Sequence, residues 1–414
     1  MRILIIFSLL FLLGCKTNEP IVDSEPSSKN PLELIWKTVL TNDTSLCSSI
    51  YPILYDGLIV ISGEKFGSPE ADVLKVVNSD GDEIWNTEVS GGICNSFNES
   101  DGSGNYVYQG MFLYMCSGVP SSLNMYTGNV IWELTDGTNT GNNLSSYGES
   151  LFYSVRYAQT GPSKYDSSKL YIVNVLSGDS RDFYRVGKTN GQNPNLYPPE
   201  VNINEYGDTI LYFQNRQWNM DSSWLGGKVD LYAYNLTKDS LEWLVESIDP
   251  YGNSSTCRPF YHDDKIYFRC FRSLHCLDAN TGESLWIYEF PNYWDNLHLG
   301  NMLIESGILI VKSSNDAIHA FDPNSGNLIW EKREAGITSC YMKAYDGAVY
   351  YGSYDGYLRK VNATNGEVEW KILSPNHGVY PTWDAEFTNA VVIDPDTKRL
   401  YTTDGYFIMC FQLN

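Results

Sequence analysis

Short apolar stretches rich in Tyr, Val and Ile recur along most of the chain, and each begins beside a Gly or Asp. Such stretches, punctuated by turn residues, predict β-strands joined by tight turns. The clearest of them are GLIVISG (57–63), DKIYFRC (264–270), GILIVKS (307–313) and GAVYYGS (347–353). The pattern predicts an all-β protein.

A longer pattern repeats behind each of these strands. Four segments align without gaps: LYAYNLTKDSLEW (231–243), LHCLDANTGESLW (274–286), IHAFDPNSGNLIW (318–330) and LRKVNATNGEVEW (358–370). Each predicts a hairpin, because its first strand ends in an Asp or Asn that can cap a turn. The Gly at 282, 326 and 366 can supply a left-handed residue there. Looser copies are LKVVNSDGDEIW (74–85), LNMYTGNVIW (123–132) and LYIVNVLSGDSRDFY (170–184).

The second strand of each hairpin carries a large ring that a lone four-stranded sheet cannot cover but a neighbouring sheet can. These predicted blade anchors are Trp36, Trp85, Trp132, Trp243, Trp286, Trp330 and Trp370, with Phe183 or Tyr184 replacing Trp in one unit. Four strands per unit at this period predict the blades of a β-propeller. KRLYTTDGYFIMCFQLN (398–414) supplies inner strands only, so LELIWKTVL (32–40) is expected to complete the last blade and close a ring of eight.

The repeat carries a family resemblance. The pattern Ala-x-Asp-x-x-Thr-Gly-x-x-x-Trp, clearest at 276–286 and 320–330, resembles the pyrroloquinoline-quinone-type repeat family over nearly the whole mature chain. That family includes quinoprotein dehydrogenases and a non-enzymatic, eight-bladed lipoprotein of the outer-membrane β-barrel assembly machinery. The resemblance implies the fold strongly and the function weakly.

The amino terminus resembles a targeting signal. The apolar run 3–13 is too short to span a membrane but fits the core of a signal peptide over 1–14. Leu12-Leu13-Gly14-Cys15 resembles the bacterial lipobox, so Cys15 is predicted to carry the lipid, palmitate included. The polar stretch 15–31 is expected to be a flexible tether ahead of a propeller over 32–414. Lys16 stands where an inner-membrane lipoprotein would carry Asp, which indicates the outer membrane. The sequence does not indicate whether the protein faces the periplasm or the cell exterior.

The charge and the cysteine content of the chain limit the classes of partner and of fold that it can have. The 28 basic and 50 acidic residues among 414 give a net charge of −22, which disfavours nucleic acid. The 9 Cys are too few for a disulfide scaffold. If Asp263 and Asp264 centre a hairpin, Cys257 and Cys270 lie opposite each other and form a candidate disulfide, although Cys276 is equally near. Cys276 and Cys410 replace the small Ala of the repeat and are expected in the core.

No motif points to catalysis. The sequence contains no adjacent Cys pair of the quinoprotein type and no hydrolase, metalloprotease or phosphate-loop signature. His275 and His319 occupy one column of two repeats, which favours packing. We therefore expect no catalytic residue, metal or cofactor, and a quinone-dependent dehydrogenase is the least favoured function.

The connections between strands differ in length at the two faces of the predicted propeller. The insertions all follow second or fourth strands and so emerge at one face: 115–122, 156–169, 186–199, 214–228, 291–299 and 373–386. They hold every non-anchor Trp and several Tyr, which become the binding-face candidates: Trp218, Trp224, Trp294, Trp383, Tyr157, Tyr165, Tyr197, Tyr293 and Tyr380. The rings could instead only pin the loops. The leading hypothesis is a monomeric, membrane-anchored scaffold that binds a protein partner there, and the alternative is a glycan- or peptide-binding propeller. The opposite face of short turns is expected to be structural.

Overall fold

The computed structural model describes residues 31–40, 52–64, 71–90, 107–116, 119–134, 140–157, 166–189, 191–218, 227–250, 258–291, 301–312, 317–333, 342–353, 355–379, 385–387 and 390–414. These residues form 33 strands in eight antiparallel sheets, and they contain no helix. Each sheet is one blade of an eight-bladed β-propeller, as the repeat predicts.

The strands are numbered along the chain, and each blade takes four consecutive ones except where noted. Blade 1 is β2 (Ile53–Tyr55), β3 (Leu58–Glu64), β4 (Ala71–Asn78) and β5 (Glu83–Ser90); blade 2 is β6 (Val107–Tyr108), β7 (Met111–Cys116), β8 (Val119–Asn124) and β9 (Val130–Glu133); blade 3 is β10 (Thr140–Tyr147), β11 (Ser150–Tyr157), β12 (Ser167–Asn174) and β13 (Ser180–Gly187); blade 4, with five strands, is β14 (Asn193–Leu196), β15 (Glu200–Ile203), β16 (Thr209–Trp218), β17 (Gly227–Asn235) and β18 (Ser240–Asp249). Blade 5 is β19 (Phe260–His262), β20 (Lys265–Arg269), β21 (Ser273–Asp278) and β22 (Ser284–Glu289); blade 6 is β23 (Met302–Glu305), β24 (Ile308–Lys312), β25 (Ala317–Phe321) and β26 (Leu328–Arg333); blade 7 is β27 (Lys343–Tyr345), β28 (Ala348–Gly352), β29 (Tyr357–Asn362) and β30 (Val368–Leu373); blade 8 is β31 (Val392–Asp394), β32 (Arg399–Thr403), β33 (Phe407–Gln412) and β1 (Glu33–Val39).

The N-terminal strand closes the ring as predicted. β1 pairs antiparallel with β33, the last strand of the chain, and Trp36 lies opposite Cys410. The Lys37 ammonium donates to Oδ1 of Asn376, 2.6 Å away in the connection from blade 7, so β1 is tied to two blades. Cys410 is fully buried, which confirms the expectation that it belongs to the core.

Blades dock through their Trp anchors. In six cases the indole N–H donates to a backbone carbonyl in the turn of the next blade, over 2.6–3.1 Å. The pairs are Trp36 with Ser79, Trp85 with Met125, Trp132 with Val175, Trp243 with Ala279, Trp286 with Pro323 and Trp330 with Ala363. Trp370 packs in the core of blades 7 and 8, beside Tyr350. Each ring thus bridges two sheets, as predicted from its size.

Glycine is required under these rings. Gly326 has φ +70°, and a Cβ built on it would lie 2.6 Å from the Trp286 ring. Gly81, Gly128, Gly178, Gly282 and Gly366 meet their Trp rings in the same way. Both the left-handed backbone and the close approach exclude a larger residue.

At the junction of blades 3 and 4, both the Trp and the Gly of this pair are replaced. Tyr184 in β13 lies opposite Leu170 at the register shift, where the other blades place Trp, so Tyr184 rather than Phe183 is the substitute. Its ring packs edge-on against Phe213 of blade 4. In the facing turn, Asp239 at φ +55° stands where the other blades carry Gly. The smaller Tyr ring is accompanied by a residue with a Cβ.

Candidate functional site

The ring has two unlike ends. At the turn end, the connections between first and second strands and between third and fourth strands are two to six residues long. At the connection end, the chain passes from second to third strands and from blade to blade. All six predicted insertions join strands at the connection end, because they follow either a second or a fourth strand.

Two of the predicted binding-face residues, Tyr157 and Tyr197, have described side chains. Both side chains pack against the propeller. The Tyr157 hydroxyl is hydrogen-bonded to that of Tyr171, and the Lys169 ammonium lies 5.6 Å from the centre of the Tyr157 ring. Burial, then the bond to Tyr157, raises the pKa of Tyr171. Tyr197 is only 7% exposed. The placement of Tyr197 on a binding face is therefore wrong: this ring pins its connection.

Of the other candidates, only the backbone of Trp218 is described. Trp218 ends β16, and its backbone lies between Asn193 and Gly227. The remaining candidates lie outside the described residues, as do the predicted lipidation and disulfide partners: Trp224, Trp294, Trp383, Tyr165, Tyr293, Tyr380, Cys15 and Cys257.

Blade 4 extends the connection end. β16 and β17 form a hairpin of ten and nine residues, and the extra strand β14 pairs with the last four residues of β16. The hairpin ends in Trp218, so the residue that sequence reasoning favoured stands at the tip of an ordered element. Its partner strand comes from the insertion 186–199, which is therefore structured in part.

A buried carboxylate holds the half of this hairpin that leads to its tip. Asp230 is 2% exposed and accepts hydrogen bonds from Nε2 of Gln217 at 2.6 Å and from the backbone N–H of Ser247 at 2.8 Å. The Lys228 ammonium is 3.1 Å away. Ser247 has φ +53°, at a register shift between β17 and β18. One side chain thereby joins three strands where the hairpin leaves the blade. Sequence reasoning missed Asp230, because only the pairing shows its role.

The candidate disulfide is wrong. Asp263 and Asp264 do form the predicted hairpin turn, both with positive φ. However, Cys270 is a free, buried thiol that donates to the carbonyl oxygen of Ile248 at 3.5 Å. The described β19–β20 ladder runs from the pair of His262 and Lys265 to the pair of Phe260 and Tyr267.

The histidines behave as packing residues. Burial lowers the pKa of His275 to about 4, and its Nε2 lies 2.8 Å from the Ser273 hydroxyl. His319 is 1% exposed and meets the Phe290 ring edge-on. Within the described ranges, no group of three His, Cys, Asp or Glu could hold a metal ion. No helix among those residues is long and apolar enough to cross a membrane.

Comparison with known proteins identifies the family. The family model of the outer membrane protein assembly factor BamB matches residues 33–202 and 227–379, most of the ring. The chain belongs to the BamB family.

Its curated BamB relatives are distant. One from Yersinia pestis is 22% identical over 338 residues, covering 80% of this chain and 67% of the relative. One from Francisella tularensis is 23% identical over 165 residues, covering 36% of this chain and 33% of the relative. The chain thus matches about a third of the length of that second protein.

Solved structures share the fold across functions. The crystal structure of BamB from Moraxella catarrhalis has a TM-score of 0.57 at 12% identity and covers 92% of this chain and 99% of its own. A europium-containing methanol dehydrogenase has a TM-score of 0.65 at 11% identity, with coverage of 92% and 93%. At these identities the likeness concerns the propeller alone, so fold does not separate scaffold from enzyme.

Proposed function

We propose that this protein is a non-enzymatic scaffold in outer membrane protein assembly, which binds a protein partner at its connection end. The observation that carries the proposal is the match to the BamB family model, which covers nearly every blade. The ring itself supplies rigidity, since each blade docks on the next through a hydrogen-bonded Trp. Rigid scaffolds with divergent connections commonly place binding residues in those connections.

The extended hairpin of blade 4 is the contact element that the geometry favours. Asp230 fixes the strands just below its tip, which lowers the entropy lost when the tip binds a partner. Trp218 and Trp224 belong to this hairpin and the connection at its tip. Large aromatic side chains are the residues most enriched in energetic hot spots of protein interfaces.

The anchor is part of the proposal. A lipid on Cys15 would hold the protein at the outer membrane, where a partner in barrel assembly is also held. We expect the tether over 15–31 to leave the position of the ring adjustable, so that specificity would reside in the propeller surface.

Affinity capture from detergent-solubilised envelope tests the function. We expect the tagged full-length protein to recover subunits of the barrel-assembly machinery. Recovery of glycan-utilisation proteins instead would support the alternative, a glycan- or peptide-binding propeller. A stoichiometric absorbance change on titration with pyrroloquinoline quinone and calcium would contradict the non-enzymatic proposal.

Paired variants test the surface. Trp218→Ala and Trp224→Ala should each weaken capture by about 2 kcal/mol if the rings are hot spots, with the melting temperature nearly unchanged. Asn324→Ala and Ser325→Ala, at the turn end, are the matched controls and should leave capture intact. Loss of stability with retained capture would show that the rings only pin the connections.

A further inference from the structure

Eight turns at the turn end share one backbone device. In each, the side-chain oxygen of an Asn or Asp accepts the backbone N–H of the residue two positions later, over 2.8–3.0 Å. Six of these turns join third to fourth strands, and those capped by Asn204 and Asp394 join first to second strands. The residue two positions after the cap can be compared from turn to turn relative to that shared capping hydrogen bond.

Five of these positions are polar and three are not. The polar residues are Asp80, Asn280, Asn324, Thr364 and Asp396. The other three are Tyr126, Leu176 and Tyr206, with exposed fractions of 45%, 46% and 79%. Single exposed apolar residues are ordinary. These three instead belong to blades 2, 3 and 4, which are consecutive around the ring.

Contacts between blades join the turns of blades 1, 2 and 3, and Tyr206 lies in the next blade of the ring. The Tyr126 hydroxyl donates to Asp56 in the neighbouring turn of blade 1, at 2.9 Å. The Tyr108 hydroxyl of blade 2 donates to Glu149 of blade 3 at 3.1 Å, and the carbonyl of Glu149 accepts the N–H of Val175, next to Leu176. Tyr147, 48% exposed, directly precedes the turn that contains Glu149. We call Tyr126, Tyr147, Leu176 and Tyr206 the turn-end patch.

The charge around the patch is almost entirely negative. The short turns of blades 1 to 4 hold eight acidic residues and one basic residue, Lys238, which is already paired with Asp208 at 2.6 Å. The acidic residues are Asp56, Asp80, Asp82, Glu149, Asp179, Glu205, Asp208 and Asp239. This field repels anionic lipid and nucleic acid and attracts cationic groups.

We infer that the turn-end patch is a second binding surface, whose occupant is a protein segment carrying Arg or Lys beside apolar side chains. The Tyr faces attract guanidinium and ammonium groups, Leu176 offers apolar contact, and the surrounding carboxylates pair with the charges. Because the capped turns hold these side chains in place, little backbone entropy is lost on binding. The surface lies at the end opposite the proposed connection-end interface and does not depend on it.

The test uses a synthetic twelve-residue peptide of alternating Arg and Leu, labelled for fluorescence anisotropy. The full-length protein should bind it saturably, and the counterpart with Glu for Arg should not bind. Leu176→Asn and Tyr206→Thr give two patch positions residues that other turns carry two positions after the same cap, so the capping hydrogen bonds are kept. Each should weaken binding about tenfold with an unchanged melting temperature.

Charge controls separate a built surface from general attraction. Asp346→Asn and Glu367→Gln remove acidic charge from the turn end in blade 7, away from the patch. They should change affinity less than about twofold, because exposed charges beyond a Debye length are screened. Absence of saturable binding, or an equal loss in the charge controls and the patch variants, overturns the inference.

Discussion

Replacing Gly326 by Ala isolates the contact that docks one blade on the next. The new Cβ would lie 2.6 Å from Cδ2 and Cε3 of Trp286, so either the ring or the turn has to move. Gly307, in another turn of the same blade, has a nearly identical φ of +75° with nothing within 4 Å of a built Cβ. Gly307→Ala therefore pays the backbone cost alone.

The two costs can be set out separately. An Ala in the left-handed region costs about 1 kcal/mol relative to Gly, and both variants pay it. Gly326→Ala also overpacks the ring, at about 1–3 kcal/mol, and risks the indole hydrogen bond to Pro323, 3.1 Å long and worth about 1 kcal/mol. We expect Gly326→Ala to lose about 3 kcal/mol and Gly307→Ala about 1 kcal/mol of unfolding free energy.

Denaturant unfolding measures this difference, and a double-mutant cycle assigns it. In a Trp286→Ala background the ring is gone, so Gly326→Ala should cost only as much as Gly307→Ala. Equal losses for Gly326→Ala and Gly307→Ala in the wild-type background would refute the reasoning. The same conclusion would follow if the cost of Gly326→Ala were unchanged without Trp286.

Three further outcomes are expected. Deleting residues 32–40 should severely lower the melting temperature, because it leaves β33 with an unpaired edge; an unchanged melting curve would contradict ring closure. Intact mass spectrometry of the membrane fraction should show a chain beginning at an acylated Cys15, and a soluble species cut elsewhere would rule this out. Because burial lowers the pKa of His275 to about 4 while the unfolded imidazole titrates near 6.5, the unfolded chain binds more protons and stability falls as pH drops from 6.5 towards 4. His275→Gln should flatten the melting temperature over that window, and an unaltered slope would show that His275 is not its source.

The fold was predictable because every blade needs the same bulky contact. Trp appears in sequence at seven of the eight docking points, and the Gly beneath six of these rings is equally visible. The exception at Tyr184 could not be assigned from sequence, since Phe183 beside it is also aromatic. Only the register shift at Leu170 decides which ring faces blade 4.

The connection end was less predictable because pairing there departs from the repeat. Tyr197 lies in an insertion and reads as exposed, but β14 adds a strand beside it and its N–H donates to the carbonyl of Gln214, so the ring is buried. Cys257 and Cys270 are equidistant in sequence from their turn, but Cys270 is a free, buried thiol and the described ladder ends at Phe260. Where strands stop depends on neighbouring blades, which local spacing does not contain.

The turn end was expected to be only structural, and the comparison among its own turns argues otherwise. Since all eight turns share the same capping hydrogen bond, turns that carry Asp, Asn or Thr are internal controls for those that carry Tyr126, Leu176 and Tyr206. The described chain also enters the ring at this end, where Pro31 accepts a hydrogen bond from Asn414.

Two surfaces at opposite ends of one rigid ring should act independently, because sites without shared contacts combine additively. Combining Trp218→Ala with Tyr206→Thr should therefore reduce partner capture and peptide binding by no more than each substitution does alone. A double variant that loses substantially more in either assay would show that the two ends communicate through the ring, and the rigid-scaffold interpretation would have to be abandoned.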